Sequence, residues 1–247
     1  PGLKYSLNPY DASNGALVVN FNTVYLKVDK NGAISSAEEQ TPLTPLAKQL
    51  GKKLTSGTHR VSIPPDSGFS YAGELLQTIF LRHGLSFKNR KVGLRKVSSA
   101  GKLVYRHYNN LNLQDVIAGM MLYSNNFTAN QLLLTTGMKR FGSPASLKKG
   151  RLAVEGYLTK ELGISSDQFR IAEGSGISRK NRLTPDAVLL LLKAFLPYQH
   201  LLPREKNIPY KTGTLSGVYS MAGYLSTSDP LYFVILLNQQ KNHREKI

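Results

Sequence analysis

Along the first hundred residues the apolar positions fall mostly in short β-branched and aromatic runs. The stretch Gly15–Asp29, GALVVNFNTVYLKVD, is dense in Val, Phe, Tyr and Leu and ends at Asp29-Lys30-Asn31-Gly32, which predicts a strand closed by a turn. A segment rich in Pro and Lys, Pro42 to Lys53, separates it from a short strand, Arg60 to Ile63, that stops at Pro64-Pro65. From Ser70 the period changes. Leu75, Leu76, Ile79, Phe80 and His83 recur at helical spacing, and Gly84 stands where a helix C-terminus favours glycine. Lys91–Val97 and Leu103–Tyr108 read as two further strands around the turn Ser98-Ser99-Ala100-Gly101, where a domain boundary is expected.

The second half alternates helical and strand patterns. Asn112 caps a helix carrying Leu113, Val116, Ile117 and Met120, and another is expected from about Asn126 to Thr136. A long helix runs from Ser146 to Leu162 and stops at Gly163. Thr184-Pro185-Asp186 combines a hydroxyl cap, a proline in the first turn and an acid at the positive end of the dipole. Gly217–Ser226 and Leu231–Asn238, split by Thr227-Ser228-Asp229-Pro230, read as an antiparallel hairpin. The longest apolar stretch, Ala187 to Pro197, is interrupted by Lys193 and falls short of the roughly 20 residues a spanning helix needs, so no transmembrane segment is expected. The sequence shows neither an internal repeat nor a low-complexity tract.

Composition narrows the classes. The chain has 247 residues, 41% of them hydrophobic, enough for a sizeable core. It contains no cysteine, which excludes disulfides, thiolate catalysis and Cys-based zinc or iron–sulfur sites. Its five histidines are scattered with no metal-ligand spacing, so neither a metal nor any other cofactor is expected. Lys and Arg outnumber Asp and Glu by 32 to 15, a net charge of +17. The basic residues come in small dispersed groups such as Lys52/Lys53, Lys139/Arg140 and Lys148/Lys149/Arg151, with no nucleic-acid module beside them. A solvated basic surface, suited to an anionic wall or membrane, explains that distribution better than a nucleic-acid partner does.

Three short segments carry candidate chemistry: Tyr123-Ser124-Asn125-Asn126, Glu173-Gly-Ser-Gly-Ile-Ser-Arg179, and Lys211-Thr-Gly-Thr-Leu-Ser-Gly217. Singly, each is common in loops and caps. In order, Ser-x-Asn followed by Lys-Thr-Gly matches two of the three motifs of penicillin-binding proteins and serine β-lactamases. The fuller segments YSNNFTANQLL, AEGSGISRKNRLTP and KTGTLSGVYSMAGYL resemble the D-alanyl-D-alanine carboxypeptidase/endopeptidase family of low-molecular-mass penicillin-binding proteins. The upstream GALVVNFNTVYLKV and SGFSYAGELLQTIFLRHGL resemble the large β-rich insertion between that family's first two motifs.

The resemblance implies an α/β (α+β) fold: a transpeptidase/β-lactamase-like antiparallel sheet with helices over 101–247, after a β-rich accessory domain over 1–100. It implies a serine-type hydrolase acting on peptidoglycan stem peptides, and on β-lactams, in the periplasm or cell envelope. By resemblance Ser124 relays a proton to the leaving amine, Asn126 bonds the substrate's peptide carbonyl, and Lys211 places positive charge near the oxyanion and the terminal carboxylate. Thr212 and Thr214 bond that carboxylate, Gly213 lets the substrate backbone lie close, and the Thr214 N–H is one oxyanion donor. Arg179 either pairs with an acidic group of the peptide stem or stands as a surface cation.

The family's nucleophile sits in a Ser-x-x-Lys that opens a helix upstream of Ser-x-Asn. Ser99-Ala-Gly-Lys102 lies in a turn between predicted strands, and Ser146-Leu-Lys-Lys149 falls after Ser124, so neither fills that place. Three readings stay open. The chain is the C-terminal part of an active enzyme completed by an N-terminal segment carrying the serine, or a nucleophile-less relative that binds wall peptides, or a basic nucleic-acid-binding protein. On the first reading Ile117, Met120, Met121 and parts of Tyr219–Leu225 are expected to lack their packing partner.

Overall fold

A computed structural model of the chain describes residue 9 and residues 12–96, 101–225 and 231–246. It divides into two compact units, Gly2–Tyr108 and Asn109–Ile247, so the division falls at 108/109. The expected turn at Ser98–Gly101 lies largely outside the described residues, as does the hairpin turn Thr227–Pro230.

In the first unit a three-stranded antiparallel sheet has β1 (Thr23–Val28) at its centre, between β2 (Ile34–Ser36) and β3 (Gly57–Ser62). Register pairs Leu26 with Ser36 on one side and with His59 on the other. Alternation on β1 buries Val24, Leu26 and Val28. Against this face pack α1 (Pro45–Gly51), capped by Thr44, and α2 (Gly68–Arg82), whose Tyr71 and Leu75 join the core. Burying a side chain of this size contributes about 1.5–3 kcal/mol. Gly84, with φ +82, ends α2 as expected.

Two expectations for this unit need correction, and one stretch left without an element turns out to be helical. The strand expected from Gly15 begins only at Thr23, because Asn20, Phe21 and Asn22 form a tight turn with φ of 50, 58 and 51, a conformation asparagine tolerates well. The Pro- and Lys-containing stretch holds helix α1, started by the Thr44 cap and Pro45. The described parts of Lys91–Val97 and Leu103–Tyr108 are in no sheet: their apolar positions have nothing to bury against, and Val104 is 94% exposed.

The second unit opens with α3 (Leu113–Tyr123), which has a reciprocal cap between Asn112 and Asp115, then α4 (Asn126–Phe141) and α5 (Leu147–Lys160). The backbones of α4 and α5 nearly touch: a Cβ on Gly137 would sit 2.3 Å from the Gly150 nitrogen. The short pair β4 (Phe169–Arg170) and β5 (Arg182–Leu183) leads to α6 (Pro185–Phe195), capped by Thr184 as its sequence predicts. A four-stranded antiparallel sheet follows in the order β6 (Arg204–Glu205), β7 (Ile208–Leu215), β8 (Val218–Leu225), β9 (Leu231–Leu237).

One face of this sheet is covered. Leu192, Leu202 and Tyr224 form a core with Met121, Phe195, Ala222, Tyr232 and Val234, and the Tyr224 hydroxyl donates to the Leu192 carbonyl at 2.7 Å. Burial beside Tyr232 pushes the Tyr224 phenol up to about 12. Met121 and Tyr224 therefore do have partners. Met221, Leu225, Phe233 and Ile235 instead line an open cleft of about 1140 Å³, and no residue of α3 is fully buried.

Candidate active site

Ser124 is the hinge between two helices. It ends α3 in the left-handed conformation, φ 50 and ψ 48, and its N–H donates to Met120 O. The next residue, Asn125, caps α4 through a bond from Thr128 N at 2.9 Å. A non-glycine residue in this conformation is strained, and such positions persist where the surroundings hold them. The consequence is that the Ser124 hydroxyl stands exposed at the tip of a tight turn. Asn126 follows at the first position of α4, half-buried.

Lys211 lies on β7, 87 residues further on, and its Nζ donates to Ser124 Oγ and, at 3.0 Å, to Thr212 O. Burial and the positive charge of Arg244 hold the Lys211 ammonium below its ordinary pKa. Ser124, Lys211 and Thr212 line the cleft together with Leu122 and Arg244. A Cβ on Gly213 would meet Ser220 Oγ at 2.5 Å, so the crowding there comes from the neighbouring strand. Thr214 Oγ1 accepts a hydrogen bond from Arg244 Nη1 at 2.9 Å.

The Gly-Ser-Gly segment is ordered by one buried acid. Glu173, 4% exposed, accepts from Ser175 N, Ser175 Oγ, Ser178 N and Asn181 Nδ2 at 2.5 to 3.2 Å. Burial raises its pKa, but the bonds from the Ser175 hydroxyl and the Ser175 and Ser178 N–H groups outweigh that and hold the carboxyl below its usual range. Asn130 of α4 docks the loop by accepting from Gly174 N at 2.8 Å. From this loop Arg179 reaches the Ser216 carbonyl at the far end of β7.

The structure thus brings Ser124 to Lys211, and ties Arg179 to the turn that ends the Lys-Thr-Gly-Thr strand. Sequence reasoning missed Arg244, which no motif marks, and passed over Glu173, although it stands directly before Gly-Ser-Gly. Ser146-x-x-Lys149 has a structural explanation. Ser146 Oγ accepts from Lys149 N at 3.2 Å as the cap of α5, while Lys149 Nζ is bound to the carbonyls of Gly142 and Pro144 at 2.7 and 2.9 Å. Ser99 lies outside the described residues. Among the described residues no cluster of His, Asp or Glu could hold a metal, and no helix is long and apolar enough to cross a membrane.

The chain also matches known proteins in sequence and in fold. The profile of the D-Ala-D-Ala carboxypeptidase 3 (S13) family matches residues 51–202. The D-alanyl-D-alanine carboxypeptidase DacB of Haemophilus influenzae is 30% identical over 195 residues, 68% of this chain and 40% of that protein. A D-alanyl-D-alanine carboxypeptidase of Actinomadura sp. (strain R39) is 26% identical over 189 residues, 65% of this chain and 35% of its own length. The chain therefore spans about 40% or less of these relatives. The crystal structure of penicillin-binding protein 4 (DacB) of Haemophilus influenzae superposes with a TM-score of 0.73 at 21% identity, covering 96% of this chain and 64% of that one. A complex of the same protein with a β-lactam gives 0.71 at 24% identity, covering 92% of this chain and 64% of that one. By profile and by sequence, the chain belongs to the D-Ala-D-Ala carboxypeptidase 3 (S13) family.

Proposed function

We propose that this chain carries the Ser-x-Asn and Lys-Thr-Gly side of the active site of a serine-type D-Ala-D-Ala carboxypeptidase/endopeptidase. It is a penicillin-binding protein that acts on peptidoglycan stem peptides in the periplasm or cell envelope. The observation that carries the reading is the contact of Lys211 Nζ with Ser124 Oγ at the mouth of a cleft beside Thr212. Two segments 87 residues apart in the chain meet there through their polar tips.

The chemistry follows from that contact. A serine Oγ, giving its proton to a neighbouring base, attacks the carbonyl carbon of the penultimate D-Ala, the C–N bond breaks, and the leaving amine takes a proton. Ser124, bonded to the Lys211 ammonium, can pass its own proton to that amine and be reprotonated by Lys211. Lys211 offers positive charge to the oxyanion, the Thr214 N–H is one oxyanion donor, and Thr212 and Thr214 receive the terminal carboxylate. One oxyanion donor is typically worth about 10²–10³ in rate. Asn126 orients the peptide carbonyl from the start of α4. Water then hydrolyses the acyl-enzyme and releases the shortened peptide. Arg179, held at Ser216, stiffens the end of β7 and faces an acidic group of the stem.

A second reading, a wall-peptide binder without turnover, is favoured by the structural roles of Ser146 and Lys149 described above. Intact-mass measurement after incubation with a β-lactam separates the two. The chain alone should gain no adduct on Ser146. The same site supplied with a Ser-x-x-Lys segment, covalently or in trans, should gain one, and Lys211→Ala should abolish it. A segment that binds without allowing acylation would favour the binder.

A further inference from the structure

Residues 116–154 contain no Asp or Glu, yet they hold Lys139, Arg140, Lys148, Lys149 and Arg151. The fold gathers these five at one corner, where the last turn of α4 meets the first turns of α5 across the connection 142–146. Lys149 is spent within the corner: its Nζ donates to the carbonyls of Gly142 and Pro144 at 2.7 and 2.9 Å and so fastens the connection. Arg151 pairs with Glu155 at 3.8 Å. Lys139, Arg140 and Lys148 are exposed, and among the described residues no carboxylate lies within ion-pair distance of them.

The same corner is apolar as well as basic. Met138 is 39% exposed, Phe141 45% and Leu152 46%, while the two helices pack on each other through the buried Leu133, Gly137 and Gly150. Met138 and Phe141, three residues apart, share one side of the last turn of α4, and Lys148 and Leu152, four apart, share one side of α5. The Arg140 guanidinium lies 6.0 Å from the centre of the Phe141 ring, so charge and ring stand together. A soluble polyanion would use the cations and leave the apolar side chains in water. The boundary of a bilayer uses both: the cations meet phosphate headgroups while Phe, Met and Leu enter the edge of the acyl region.

We propose that the α4–α5 corner is a peripheral docking site for the surface of an anionic phospholipid bilayer. Met138, Phe141 and Leu152 enter the interface, and Lys139, Arg140 and Lys148 meet the headgroups. The Lys149 clamp forms the corner before the membrane arrives, which lowers the entropy lost on docking. Each Lys or Arg close to an anionic leaflet raises affinity roughly fivefold, so three exposed cations are a readable share of the binding. Three partly exposed apolar side chains give reversible attachment, not anchoring. The inference rests on this corner alone and is independent of the reaction proposed above.

The chain contains no tryptophan, so Phe141→Trp places a single reporter at the corner, and Phe69→Trp places one at an exposed position of the first unit. On vesicles of equal phosphatidylglycerol and phosphatidylcholine, emission from Phe141→Trp should shift to the blue and emission from Phe69→Trp should not. By vesicle flotation the wild type should bind these vesicles about tenfold more tightly than phosphatidylcholine alone. Lys139→Glu/Arg140→Glu/Lys148→Glu should lower that affinity by about tenfold or more, whereas Lys30→Glu/Lys52→Glu/Lys53→Glu, the same change of net charge at exposed positions elsewhere, should lower it by less than about threefold. Met138→Ser/Phe141→Ser, which keeps every charge, should cost about fivefold. A blue shift at both reporters or at neither would overturn the proposal. So would equal losses from the two charge reversals, or unchanged binding by the serine variant, either of which would leave only a diffuse attraction to polyanions.

Discussion

At the scale of single residues, two ionisable groups carry consequences that pH can expose. Lys211 is held below its ordinary pKa by burial and by Arg244, so its charge is present below that lowered value and lost above it. The ¹³Cε shift of Lys211 should therefore titrate below the free-lysine value of about 10.4. Arg244→Gln should move the midpoint up, since it removes one of the two causes. A midpoint at or above 10.4 in the wild type would contradict this account of the site. Glu173 works in the opposite direction. Its folded pKa is depressed, so the stability it adds is complete above its unfolded value of about 4.3 and is lost as pH falls through the folded one. Glu173→Gln sets an amide NH₂ against the donors of Ser175 and Ser178, and should cost about 2–3 kcal/mol at pH 7 by chemical denaturation. The gap between wild type and variant should close as pH drops below about 4. A constant gap would mean that the carboxylate charge is not what orders the loop.

At the scale of elements, two glycines on one helix make a sharp contrast. A Cβ on Gly150 of α5 would meet the Leu133 carbonyl oxygen of α4 at 2.6 Å, whereas one on Gly156 meets nothing within 4 Å. Gly150→Ala should therefore force the helices apart at about 1–3 kcal/mol, while Gly156→Ala should stabilise by about 0.5–1 kcal/mol. Equilibrium denaturation of both variants checks the pair, and equal effects would refute the close crossing. The same contrast shows what the sequence makes legible. Asn112, Ser146 and Thr184 announce their helices because capping is local chemistry, confined to three or four residues. The hairpin of β8 and β9 is legible from its apolar runs for the same reason. The strands expected at 91–97 and 103–108 fail because a strand is fixed by its neighbours, and nothing in a run such as Leu-Val-Tyr says that no partner will come. Ser124 and Lys211 are findable as motif members, yet their contact depends on where α3 ends relative to β7. Arg244 is beyond reach of any local pattern: its partners lie 24 to 31 residues upstream and are mostly backbone carbonyls.

At the scale of the whole molecule, charge and apolar surface set the remaining expectations. A net charge of +17, dispersed in small groups, gives long-range attraction to anionic wall polymers without a built binding stripe. That binding should be weak and should vanish toward 1 M salt, where the Debye length falls to about 3 Å. Sub-micromolar, sequence-selective binding to DNA or RNA at physiological salt would contradict the reading. The sheet is covered on its Tyr224 face and open on the face of Met221, Phe233 and Ile235, so its polar site borders an apolar cleft. The central claim is that the mouth of this cleft, where Ser124, Lys211 and Thr212 meet, receives the D-Ala-D-Ala end of a stem peptide. The most direct measurement is the affinity of the chain for N-acetyl-D-Ala-D-Ala against its L-Ala-L-Ala counterpart, in the wild type and in Lys211→Ala. The account predicts preference for the D,D peptide in the wild type and at least a tenfold loss of that affinity in Lys211→Ala. Equal binding of the two stereoisomers, or D,D affinity unchanged in Lys211→Ala, would contradict it.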